Sequence, residues 1–125
     1  MLTNVAQVLA GMIGAGILFI GARALWAPRA AVDFGIPDTP TDDRTFRAWL
    51  SVKGVRDIAS GLFLFILLAG ATPHLLGWFM LAATVIPAGD ALIVLRNNGP
   101  RTAVYGIHGA TAASMLVISV LLLVA

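Results

Sequence analysis

The chain has 125 residues, of which 59% are hydrophobic and 11% charged, and a mean hydropathy of +0.94, too apolar for an ordinary soluble domain. It contains no cysteine, which excludes disulfides, thiolate nucleophiles and cysteine-held metals. Eight basic against six acidic side chains leave a net charge of only +2, which offers no basic face to nucleic acid.

A hydrocarbon core about 30 Å thick takes roughly 20 apolar residues per helix. The composition therefore predicts an all-α fold: a four-helix transmembrane up-down bundle forming one domain over residues 1–125, with spans at about 5–26, 42–69, 75–96 and 102–124. Such spans leave no room for a soluble catalytic domain.

The stretch from Met1 to Ala22 is uncharged and too long for the apolar region of a signal peptide, so it reads as a retained first span. Arg23, Trp26 and Pro28 end it with a cation, an interfacial aromatic and a breaker. Ala6, Ala10 and Gly14 recur every four residues, a row of small side chains that lets another helix approach closely. In an up-down bundle that neighbour would be the fourth helix, which has rows of its own at Gly106 and Ala110 and at Gly109 and Ala113.

Gly35, Pro37 and Pro40 forbid a continuous helix through the first loop, residues 27–41. Thr41 reads as the N-cap of a long second helix, with Asp42 and Asp43 in the first turn and Gly54 a place for a bend. A short connection through Pro73 and His74 makes the next helix antiparallel, and His74 falls in that outer loop. Pro87 lies inside the third span, and Asn97-Asn98-Gly99-Pro100 turns the chain into the fourth.

Arg23, Arg29, Arg44, Arg47 and Lys53 flank the first loop, and Arg96 and Arg101 flank the third, whereas the second loop and both ends carry no basic side chain. The positive-inside rule then places the first and third loops of a multi-pass membrane protein in the cytoplasm and both termini outside.

Four ionisable residues interrupt the spans: Arg56 and Asp57 in the second, Asp90 in the third and His108 in the fourth. A charge at such depth is costly unless it is paired or faces a cavity. All four fall six or seven residues from the cytoplasmic ends, roughly 10 Å deep at 1.5 Å per residue. Lys53 and Ser60 lie one turn from Asp57 and Arg56, and Tyr105 one turn from His108. One polar layer of Lys53, Arg56, Asp57, Ser60, Asp90, Tyr105 and His108 is therefore expected.

The layer has two readings. It is either an internal salt-bridge set that registers the helices, or a binding or proton-handling site in which Asp90 orients His108 as a base and Arg56 holds an oxygen. Asp57, Asp90 and His108 would make a plausible metal ligand count, but Lys53 and Arg56 beside them oppose a cation, so neither metal nor cofactor is expected.

Three segments, Val52 to Gly61, Pro87 to Val94 and Gly106 to Thr111, together with Phe34-Gly35-Ile36-Pro37 in the first loop, resemble the signature segments of the DUF4267 family of small bacterial and fungal membrane proteins. The resemblance spans nearly the whole chain and implies four membrane helices; the family has no assigned function. A more distant likeness to DoxX-like four-helix membrane proteins rests on architecture alone. Three functions fit. The first is a site that binds, with or without transforming, a small lipophilic molecule. The second is a proton-coupled transporter working as a homo-oligomer, and the third a scaffold subunit surrounded by membrane lipids.

Overall fold

A computed structural model describes residues 1–125, and it is helical throughout apart from its connections. We label the long helical stretches α1 (Leu2–Trp26), α2 (Arg44–Gly70), α3 (Pro73–Arg96) and α4 (Arg101–Val124). Between α1 and α2 a 3₁₀ segment covers Pro28–Phe34. α1, α3 and α4 are long and apolar enough to cross a membrane. α2 is equally long, but every 18-residue window of it contains Lys53, Arg56 and Asp57, so length and composition identify three candidate spans where four were expected.

Only 20 of the 125 residues are buried, and large side chains such as Val8, Phe19, Phe63, Ile66, Trp78 and Val117 lie on the outside. An apolar exterior of this extent is incompatible with water and suits lipid. The protein is a membrane protein whose helices present lipid-compatible surfaces.

α1 and α2 pack antiparallel through glycine. A Cβ on Gly21 would stand 2.6 Å from the Gly54 carbonyl oxygen, and one on Gly61 would stand 2.9 Å from the Gly14 carbonyl oxygen. Backbones this close admit no side chain between them. The small-residue row of the first span thus meets α2 at Gly14, while Ala6 and Ala10 enter the central core with Leu64, Leu76, Met80, Met115, Ile118 and Leu122. Gly54 is a packing contact within a continuous helix.

α3 and α4 form the second antiparallel pair. The buried Ser119 hydroxyl donates to the Gly77 carbonyl at 2.9 Å near one end, and Val94 packs with Ala103 and Val104 near the other. α3 is interrupted at Thr84, three residues before Pro87. The proline has no N–H to offer Ala83, and its ring crowds that carbonyl, which breaks the α-helical ladder one turn upstream.

Two predicted helix starts move. The cap of α2 is Asp43, whose carboxylate accepts from the Phe46 N–H at 2.7 Å, in place of Thr41. Arg47 explains the shift: it donates from Nε to the Thr41 carbonyl at 2.6 Å and holds Asp42 at 3.1 Å, so Thr41 and Asp42 fold back over the first turn. α3 starts at Pro73, capped by the Thr72 hydroxyl, which brings His74 into the helix, where its Nε2 accepts from the Trp78 indole at 3.2 Å.

Candidate functional site

The two helix pairs do not close on each other at the end that carries the 27–43 and 97–100 connections. α1 holds α2 and α4 holds α3, but the half of α3 that follows Thr84 makes no close packing with α2. A cleft of about 500 Å³ separates them there, lined by Trp49, Val52, Lys53, Arg56, Asp57 and Ser60 from α2 and by Ile86 and Asp90 from α3. Five of the seven residues expected in the polar layer share this cleft: Lys53, Arg56, Asp57, Ser60 and Asp90.

Within it the charges are unequally satisfied. Lys53 Nζ lies 2.6 Å from an Asp57 carboxylate oxygen, an i, i+4 pair on one face of α2 whose side chains are 42% and 22% exposed. The Ser60 hydroxyl donates to the Arg56 carbonyl at 2.9 Å, which leaves its oxygen facing the cleft as an acceptor. Arg56 is exposed and forms no ion pair, and Asp90, half-buried on the opposite wall, likewise has none and accepts no hydrogen bond. The fully interlocked salt-bridge set is therefore only half realised: Lys53 with Asp57 forms, and Arg56 with Asp90 does not.

His108 and Tyr105 stand apart. His108 is 7% exposed and places Nε2 2.8 Å from the Phe34 carbonyl oxygen. A carbonyl only accepts, so this bond puts a proton on Nε2. The expected hydrogen bond between His108 and Asp90 is not made. Tyr105 is 62% exposed and does not line the cleft.

His108 lies within a π turn, Val104–Gly109, in which Gly109 comes so near the Val104 carbonyl that a Cβ would stand 2.9 Å from it.

Phe34 enters the sequence reading only through the family resemblance and is missed as a member of the polar layer. Its ring packs at 4.3 Å between centroids against His108, and Lys53 Nζ stands 5.4 Å from its centroid. Phe34 thus meets both parts of the expected layer, Lys53 of the cleft and the buried His108. Gly35 fixes it in place, because its φ of 104° is left-handed and a Cβ there would stand 2.6 Å from the Ala103 Cβ. A signal was present in the sequence: an apolar aromatic followed by glycine, between two aspartates, in a loop otherwise suited to water.

Ion pairs brace the same connection from outside. Arg23 meets Asp33 at 3.9 Å, and Arg29 meets Asp42 at 3.6 Å. No group of three or more histidines or carboxylates comes together in metal-binding geometry.

Chemically, the arrangement offers a free guanidinium, a free carboxylate, a hydroxyl and an internally neutral Lys53–Asp57 pair around a space with aromatic and aliphatic walls. No curated protein and no solved structure matches the chain. The profile of one family, described as a domain of unknown function, DUF4267, matches residues 14–122, nearly the full length and all of the cleft. The chain belongs to the DUF4267 family.

Proposed function

We propose that this protein is a four-helix transmembrane up-down bundle of a bacterial cell membrane, and that the cleft between α2 and α3 binds a small lipophilic molecule by its polar head. The antiparallel pairing of α1 with α2 and of α3 with α4 supports the topology. Both termini lie outside in this reading, because all eight basic residues belong to the half of the molecule that holds the first and third connections. α2 crosses with its charged face turned to the cleft, where Arg56 and Asp57 avoid hydrocarbon.

The observation that carries the reading is the cleft itself. A purely structural polar layer would be closed, each charge against its partner; here a space of about 500 Å³ keeps Arg56 and Asp90 apart. Binding is favoured over proton transfer, because His108 is engaged by Phe34 and does not touch Asp90.

Photolabelling tests this reading. A diazirine-bearing amphiphile incorporated into proteoliposomes is expected to mark Val52 and Ile86 above the general lipid-facing surface, and the cleft-filling Ser60→Trp is expected to remove that labelling. Labelling spread evenly over α1, α3 and α4, unchanged by Ser60→Trp, would contradict it.

A further inference from the structure

The cleft's charges also define what kind of head it accepts, an inference that rests on the binding reading above. Lys53 and Asp57 neutralise each other at 2.6 Å, and the Lys53 ammonium is further engaged by the Phe34 ring at 5.4 Å. Arg56 and Asp90 remain, one on each wall, opposite in sign and not paired. The lining sums to zero charge, but with a positive side and a negative side.

A net anionic head would satisfy Arg56 and be repelled by Asp90; a net cationic head would do the reverse. In surroundings that water screens poorly either mismatch is expensive. A guanidinium matches the oxygens of a phosphate or carboxylate as a planar fork, and an ionised carboxylate only accepts hydrogen bonds. The head that satisfies both walls therefore carries an anionic group and an N–H-bearing cation a few ångströms apart. A quaternary ammonium has the charge but no N–H to donate.

We propose that the cleft selects a zwitterionic amphiphile of the phosphoethanolamine type, its phosphate on Arg56 and its primary ammonium on Asp90. The walls favour a membrane-borne form over the free head. Trp49, Val52 and Ile86 line the cleft beside the charges and offer acyl chains an apolar wall.

Native mass spectrometry of the purified, detergent-solubilised chain tests this proposal. The chain is equilibrated with equal amounts of phosphatidylethanolamine, phosphatidylcholine and phosphatidylglycerol of the same acyl composition. Retention of the ethanolamine lipid about tenfold above the other two is expected, the scale of one charge-assisted hydrogen bond. Arg56→Gln should abolish that preference, and Asp90→Asn, which leaves Arg56 unopposed, should turn it toward phosphatidylglycerol. This exchange of preference would not follow from a loss of folding.

Equal retention of all three lipids, or a preference for phosphatidylglycerol in the unaltered chain, would overturn the zwitterion proposal while leaving the binding reading intact, provided Ser60→Trp removes the bound lipid. Retention that survives Ser60→Trp would overturn both. Displacement of the lipid by free phosphoethanolamine at equal concentration would contradict the membrane-borne form.

Discussion

Lys53 touches two groups that the sequence does not connect, the Asp57 carboxylate one turn along its own helix and the Phe34 ring from a distant connection. The first contact is legible as an i, i+4 pair; the second depends on how the 28–34 segment docks, which no spacing reveals. Since Asp57 is only 22% exposed, replacing Lys53 strands a charge with little access to water. Lys53→Met and Asp57→Leu should each destabilise the protein, and their double-mutant cycle should return a coupling of about 1–2 kcal/mol in denaturation from detergent micelles. His108 makes the opposite point. Its depth is readable by counting residues from Arg101, but its partner is not: set in a π turn at Val104–Gly109, the ring bonds the Phe34 carbonyl of the first connection. His108→Ala should therefore cost about 1 kcal/mol of stability through the lost bond to the Phe34 carbonyl, measured in the same assay, and should leave the cleft's lipid preference unchanged.

Among the helices, small residues divide into those that hold the fold and those that do not. Gly21 and Gly54 face each other so closely that a Cβ on either would stand 2.6 Å from the other's carbonyl oxygen, whereas a Cβ on Gly106 would meet nothing within 4 Å. Gly21→Leu and Gly54→Leu should force α1 and α2 apart and cost at least about 2–3 kcal/mol. Gly106→Leu should leave thermal stability within about 0.5 kcal/mol of the unaltered chain, as an outward-facing substitution does. The small-residue rows are evident from sequence, but their partners are not: four-residue spacing says that a helix approaches, and only the fold says that α2, through Gly54 and Gly61, is the one that meets Gly14 and Gly21. The same limit applies to Pro87, which announces a disturbance in α3 without saying that the break falls at Thr84.

Taken whole, the molecule is simple to recognise as helical and membrane-embedded, because its hydropathy leaves little choice. The second helix is the exception, and for the reason that makes it interesting: Lys53, Arg56 and Asp57 lower its apolarity enough to remove it from the candidate spans, while they supply three of the cleft's four charged side chains. Its crossing can be tested cleanly because the chain has no cysteine. Single cysteines at Thr39, Ala71 and Asn97, probed with a membrane-impermeant maleimide on intact cells, should react at Ala71→Cys and become reactive at Thr39→Cys and Asn97→Cys only after permeabilisation. Labelling of Thr39→Cys and Ala71→Cys from the same side would mean that α2 does not cross.

The cleft is the feature on which the account turns, and crystals grown from a lipidic phase would examine it directly. The density should show α2 and α3 held apart at Arg56 and Asp90, with an elongated molecule entering between them, its head against those two side chains and its tail along Ile86. A map in which Arg56 and Asp90 form a direct ion pair, with the helices closed over it, would contradict the account.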